Sequence, residues 1–251
     1  MAPAEFKEMA WLLMLIPFLI VLATGMFFFY CAWRRSKSRN REGAAEGETL
    51  FATPSGFRSA FEQPGRWLAI KASNPAVVQA ALRLHHPVAC SWEEGLAEAR
   101  DDKLFISPSI SGWVLVVGSS LPEPVEDVDR CYRFLTALSR KLGHVQFFSV
   151  SRVVHYHCWA LIEKGHVFRA YAWAGETLWN QGPVTSAEKD LGLLCFDYAT
   201  EQNPFTIRES LSANTEKVNQ LAARWSVDPC SSSSSINGRG IVGAFSHSKP
   251  H

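Results

Sequence analysis

An uncharged and mostly apolar run at residues 9–33 constrains this sequence more than any other feature. A helix needs roughly 20 apolar residues to cross a bilayer, because each residue adds about 1.5 Å of rise. Trp11 lies near the start of the run and Tyr30 and Trp33 near its end, where aromatic side chains favour the headgroup region. The run has no polar stripe at helical spacing, which disfavours a helix at the edge of a globular core. We therefore predict a transmembrane helix over residues 9–33, preceded by a short extension, residues 1–8.

The charges that flank this run predict its orientation. Lys7 and the terminal amine precede it with two acidic side chains, whereas a basic cluster follows at residues 34–41. Basic residues beside a span remain on the cytoplasmic side, so the chain after residue 33 should be cytoplasmic and the N-terminus outside. A cleavable signal peptide is disfavoured, because the run is too long and arginines follow it. We expect a single-pass protein of the plasma or bacterial inner membrane that contacts the lipid bilayer through residues 9–33 and the basic cluster.

The remainder of the sequence divides into a linker, one domain and a tail. Residues 34–63 lack apolar periodicity over most of their length and predict a basic, flexible juxtamembrane linker. Residues 64–229 suffice for one hydrophobic core, and we predict a soluble, cytoplasmic α+β domain. Residues 230–251 contain a run of serines and no core pattern, which predicts a disordered tail. The 25 basic and 24 acidic side chains nearly cancel, so the sequence does not favour nucleic-acid binding.

Strand and helix signals within residues 64–229 predict a mainly antiparallel sheet flanked by helices. The fold class follows from a long helix that precedes two strands joined across the tight turn Glu163-Lys164-Gly165. Strands are expected at residues 66–72, 104–106, 113–118, 145–150, 156–162 and 166–173. The third of these is apolar on both faces, which predicts a central strand. Helices are expected at residues 75–84, after the capping box of Ser91 and Glu94, at 125–142, at 185–194 and from 212 or 214 onward. The first of these should end at His85-His86-Pro87, and Thr185 with Glu188 forms a capping box for the helix at 185–194. Residues 174–183 and 196–211 are expected to be a polar loop and an irregular segment.

Histidines on the predicted hairpin are the main candidates for catalysis. His155 and His157 would share one strand face, which we interpret as a solvent-exposed face, whereas Cys158 would be a buried thiol. Paired carboxylates occur at helix ends, where capping explains them. The common motifs of nucleotide, dinucleotide, α/β-hydrolase and zinc-protease sites are missing from the sequence. We therefore predict no metal site, no cofactor and no structural disulfide, and the catalytic residues remain unknown.

Aromatic side chains are dense on the hairpin and in the segment that follows it. Most of these rings are expected in the core, but a shallow aromatic surface with a few polar groups suits a ligand or partner. The candidate binding residues are Trp173, Glu176, Trp179, Asn180 and Gln181.

Four stretches resemble segments of uncharacterised bacterial proteins of similar size: LFISPSISGWVLVVG, LSRKLGHVQFF, GHVFRAYAWAGE and LAARWSVDP. The resemblance covers most of residues 104–229. It implies a bacterial inner membrane as the location and provides no activity or site residue.

Two functional hypotheses follow from these observations. The first is a membrane-anchored protein whose cytoplasmic domain is a binding or interaction module for an unidentified protein or small ligand. The alternative is a membrane-tethered hydrolase or transferase that uses His155 or His157 with a remote carboxylate.

Overall fold

The computed structural model describes residues 65–100, 102–198, 204–229 and 238–245, and for residues 204–213 the backbone only. The predicted span at residues 9–33 and the linker at residues 34–63 lie outside these ranges. Within the described residues, no helix combines the length and the apolar character that crossing a membrane requires.

The described residues form nine strands and five helices. The strands are β1 (Arg66–Lys71), β2 (His85–Cys90), β3 (Lys103–Ile106), β4 (Trp113–Val117), β5 (His144–Ser151), β6 (Tyr156–Glu163), β7 (His166–Trp173), β8 (Thr177–Gln181) and β9 (Gly240–Ala244). The helices are α1 (Pro75–Leu82), α2 (Trp92–Glu98), α3 (Val128–Leu142), α4 (Ser186–Asp190) and α5 (Pro204–Trp225).

All nine strands belong to one antiparallel sheet with the order β2-β9-β3-β4-β1-β5-β6-β7-β8. Both sheet faces are buried. Leu68 and Ile70 of β1 face a cluster that includes side chains of α1 and α3, which we name the α3 face. Trp67 and Ala69 face the opposite cluster, which includes side chains of α2 and α5 and which we name the α5 face. The predicted α+β class with a mainly antiparallel sheet is confirmed.

Helix α3 shows how the sequence determines an element. Asp127 caps its first turn by accepting a 2.9 Å hydrogen bond from the Arg130 backbone N–H. Its apolar stripe buries Cys131, Leu135 and Leu138, and it ends at Gly143, whose φ of 87° favours glycine. The capping boxes predicted for α2 and α4 are also present.

The hairpin of β6 and β7 is confirmed together with its turn. Lys164 and Gly165 both have positive φ, as a tight two-residue turn requires. The Gly165 N–H donates to Ser139 Oγ at the end of α3, so the turn is held against the helix. Strand β4, predicted to be central because it is apolar on both faces, lies between β3 and β1.

Three local predictions were wrong. The expected loop at residues 174–183 contains β8, and the segment His85-His86-Pro87, expected to end a helix, begins β2. Helix α5 begins at Pro204 within the segment predicted to be irregular. Strands β2 and β8 form by pairing with β9 and β7, which a short window of sequence does not show.

The predicted disordered tail contains strand β9, so the prediction was wrong for residues 240–244. Strand β9 lies between β2 and β3 and buries Val242. A Cβ at Gly240 would lie 2.2 Å from the Phe105 ring, so only glycine permits this close approach. The ring of Phe245 packs 6.1 Å from that of Phe134. The domain therefore includes residues beyond 229.

Candidate functional site

The structure does not bring the five predicted binding residues into one site. Trp173 lies on the α5 face, with its ring 5.3 Å from that of Phe196. Trp179 lies on the opposite α3 face, and Glu176 is exposed in the turn before β8. Strand alternation separates these side chains, which the prediction of a single loop did not anticipate.

Trp179 and Gln181 remain together and form a small surface with Tyr132 of α3. The Trp179 indole N–H donates to Gln181 Oε1 at 3.1 Å, and the Tyr132 ring lies 6.2 Å from the Trp179 ring in an edge contact. Trp179 is buried, whereas Tyr132 is 39% exposed and Gln181 is also exposed. We name these three residues the Trp179 surface. A phenol and an amide held over a buried ring provide apolar area and hydrogen-bonding groups to a partner.

Asn180 belongs to a different contact, on the side of β8 that faces Arg169. Its Oδ1 accepts a 2.8 Å hydrogen bond from Arg169 Nη1, and its Nδ2 donates to the Phe196 carbonyl. The Asn180 backbone N–H donates to the Tyr198 hydroxyl at 2.8 Å. Asn180 is therefore a structural residue.

Both edges of the sheet carry features that oppose the addition of another strand. On β8, the Tyr198 hydroxyl accepts a hydrogen bond from the Asn180 backbone N–H, and a bulge interrupts the pairing with β7. On β2, Pro87 lacks an N–H and another bulge lies between His85 and Val88. Such features protect sheet edges from pairing with another chain. Partner binding through side chains is therefore favoured over strand addition.

A buried ion pair lies beneath α4 on the α5 face. Arg169 Nε donates to Glu188 Oε1 at 2.8 Å, and the side chains are 1% and 0% exposed. The Trp159 indole N–H donates to the same oxygen at 2.7 Å. Glu188 Oε2 accepts from the backbone N–H and the hydroxyl of Thr185, as in the predicted capping box. The one sequence signal for this pair was an arginine inside an otherwise apolar strand.

His157 is fully buried, so the predicted solvent-exposed face was wrong. Its ring stacks 5.6 Å from Trp159 and 5.9 Å from Tyr171. Asn214 Nδ2 lies 3.3 Å from Nε2, and the Thr215 hydroxyl lies 3.5 Å from Nδ1. Burial lowers the pKa of His157 to about 4, so the ring is neutral near pH 7. An uncharged, packed imidazole beside an amide and a hydroxyl fits a core role.

The other two residues of this group lie in a turn and in the core. His155 lies in the turn before β6 with a φ of 51°, so the turn separates it from the β6 face that carries His157. Cys158 is a buried thiol, as predicted, and desolvation raises its pKa well above its usual value. A thiol held protonated is a poor nucleophile.

His144, which lies outside the pair of histidines proposed for catalysis, makes a direct imidazole–carboxylate contact. Its Nδ1 lies 2.7 Å from Glu163 Oε1, and its Nε2 lies 3.0 Å from Gln146 Nε2. The Ser226 hydroxyl donates to Gln146 Oε1 at 2.6 Å. An amide thus stands between the imidazole and the serine, where a catalytic triad requires direct contact. Desolvation lowers the pKa of His144, although Glu163 acts in the opposite direction.

The described part of the chain contains no group of three or more His, Cys, Asp or Glu side chains placed to hold a metal ion. The fold defines the class as an α+β domain with one wide antiparallel sheet covered by helices on both faces.

No family model matches the sequence, and no curated protein or solved structure is significantly similar to it.

Proposed function

We propose that this protein is a single-pass, membrane-anchored interaction module. Residues 9–33 span the membrane, the basic cluster 34–41 contacts anionic headgroups, and the α+β domain lies at the cytoplasmic face. The observation that carries the proposal is the uncharged run of residues 9–33 followed at once by basic residues. The imidazole contacts support a binding role over hydrolysis, because His144 faces an amide and His157 lies in the core.

The Trp179 surface is the proposed contact for a protein partner. It combines an exposed phenol and an exposed amide around a fixed indole, and aromatic side chains of this kind are enriched at protein interfaces. The obstructed sheet edges favour recognition through side chains.

Anchoring can be tested by washing membranes that contain the full chain with alkaline carbonate. The wild-type chain should remain in the pellet, as an integral protein does. Replacing Leu19 and Leu22 together by arginine should release the chain, because each charge near a helix centre costs about 2.5 to 3.5 kcal/mol for insertion. The matched control is the double replacement by alanine, which should remain in the pellet. Release of the wild-type chain would contradict the anchor.

The contact surface can be tested with a photoreactive phenylalanine placed at Tyr132 of the full chain in native membranes. Irradiation should yield a discrete adduct with one partner. The matched control places the same residue at Val77, which is 52% exposed and lies on α1. Equal adducts at both positions, or none at Tyr132, would show that the Trp179 surface is not the contact.

A further inference from the structure

The most exposed apolar side chains among the described residues lie in the turn between β5 and β6. Val153 is 91% exposed and Val154 is 66% exposed. Consecutive exposed aliphatic residues at the tip of a hairpin lose contact with water only when another surface covers them. We name these two residues the valine tip.

The valine tip lies at the end of the sheet where the polypeptide enters the domain. Val150 donates its N–H to the Gly65 carbonyl at 2.7 Å, and Arg66 pairs with Ser149. Gly65 is the residue at which the segment of residues 1–64 joins the sheet. The chain that leads from the predicted span therefore reaches the domain a few residues from the valine tip.

The charges near the valine tip are paired. Arg152 Nη2 lies 2.7 Å from Glu216 Oε2, so the basic side chain beside Val153 has an acidic partner. Arg66 contacts Glu123 and lies 3.6 Å from Glu126 Oε1. Arg66 thus offsets one of the two carboxylates beside the entry point, which lowers the repulsion from an anionic bilayer without removing it.

We propose that the valine tip inserts into the bilayer surface and orients the tethered domain on the membrane. This inference rests on the proposed function, because it requires the span at residues 9–33. The predicted linker of residues 34–63, treated as a flexible chain, would have a root-mean-square length of about 30 Å and would hold the domain at a high local concentration beside the lipid. Insertion that would be weak for a free protein then becomes significant.

The test measures the reactivity of single introduced cysteines in the full chain. Val153→Cys and the control Val77→Cys are each incorporated into vesicles of phosphatidylcholine and phosphatidylglycerol in equal amounts. A second portion of each variant is held in amphipol, which supplies no bilayer surface. A polymer-linked maleimide that cannot cross membranes labels the outward-facing chains. The labelling rate of the wild-type chain is subtracted to remove the native cysteines.

The labelling rate at Val153→Cys should fall roughly tenfold or more from amphipol to vesicles, relative to the change at Val77→Cys. The reason is that the cysteine reacts only while the tip is out of the bilayer. Equal relative rates in both media would overturn the inference. Protection in both media would also overturn it and would show that another part of the chain covers the tip. Flotation of the vesicles separates this result from the proposed function. A chain that floats with an unprotected tip contradicts the inference alone, whereas a chain that does not float contradicts both.

Discussion

Glu188 is the residue on which the α5 face of the domain depends most. Its carboxylate compensates the buried guanidinium of Arg169, accepts from the Trp159 indole and caps α4 through Thr185. Removing one partner from a buried ion pair leaves the other charge in a medium that solvates it poorly. Because this pair is buried, removing one partner should lower the free energy of unfolding more than removing one partner of a surface pair would.

Replacing Glu188 by glutamine should lower the free energy of unfolding by about 3 to 5 kcal/mol. The one acceptor oxygen of glutamine can keep the α4 cap, so the loss reports the missing charge together with the acceptor that Arg169 and Trp159 lose. Asp190 lies two residues away and pairs with Arg224 on the surface, where the side chains are 61% and 50% exposed. The matched control Asp190→Asn should therefore cost about 1 kcal/mol or less. Denaturant unfolding followed by tryptophan fluorescence measures both, and similar losses would contradict the burial argument.

His157 makes the stability of the domain depend on pH. The pKa of His157 is about 4 in the folded protein, because burial disfavours the charged ring, and near 6.5 in the unfolded chain. Between these values the unfolded chain binds more protons, so stability rises with pH. The contribution is fully present above about pH 6.5 and is lost as the pH falls toward 4.

The fall in stability from about pH 7.5 to about pH 5 should include about 2 kcal/mol from His157. Replacement by glutamine, which retains hydrogen-bonding groups toward Asn214, should remove this part of the slope. A smaller slope of the same sign should persist, because the pKa of His144 is also lowered by burial. Unfolding midpoints of both proteins across this range measure the difference. Parallel profiles would show that His157 is not protected from protonation.

At the scale of the element, β9 is needed to complete the sheet. It pairs with β2 on one side and β3 on the other and buries Val242. Without it, β2 would lose the strand it pairs with, β3 would retain only β4, and Phe105 would be exposed where Gly240 now approaches it. The segment therefore belongs to the cooperative core although serines precede it in the sequence.

Truncation after residue 237 should destabilise the domain by more than about 3 kcal/mol, since burying each Val or Phe side chain contributes about 1.5 to 3 kcal/mol. Truncation after Phe245 retains β9 and should leave the unfolding midpoint unchanged. Thermal unfolding of the two truncated proteins measures the difference. Equal midpoints for both would show that β9 does not contribute to the stability of the sheet.

The elements that the sequence predicted are those with strong local signals. The capping boxes at Ser91 and Thr185 and the turn at Gly165 are local hydrogen-bond or backbone requirements, and all three were confirmed. Strand β9 was missed because Gly240 approaches β3 and Gly243 approaches the start of β2, and both neighbours are distant in sequence. Short edge strands such as β2 and β8 are specified by their neighbours more than by their own residues.

The candidate site was less predictable because it depends on which sheet face each side chain meets. Alternation predicted that Trp173 and Tyr171 share a face, and both lie on the α5 face. It could not show that residues 177–181 form a strand, which separates Trp179 from Trp173. The partner of Trp179 is Tyr132, which lies 47 positions earlier in the chain. Such a contact leaves no local signal.

At the scale of the whole molecule, the proposed orientation depends on charge asymmetry around residues 9–33. Arg34, Arg35 and three further basic residues follow the run, and acidic residues offset the positive charges before it. Positive charge resists translocation, so this asymmetry should keep the domain in the cytoplasm. A cysteine placed at Ser36 should then remain unlabelled by impermeant maleimide in intact cells, and labelling there would contradict the orientation.

Reversing the asymmetry should invert the molecule. Replacing the five basic residues of the cluster by glutamine, and Glu5 and Glu8 by lysine, moves the positive charge to the other side of the span. The cysteine at Ser36 should then react in intact cells. The matched control makes the glutamine replacements alone and should give a mixed population, because neither flank dominates. A cysteine that stays protected in the reversed chain would show that folding of the domain, and not the flanking charge, decides the orientation.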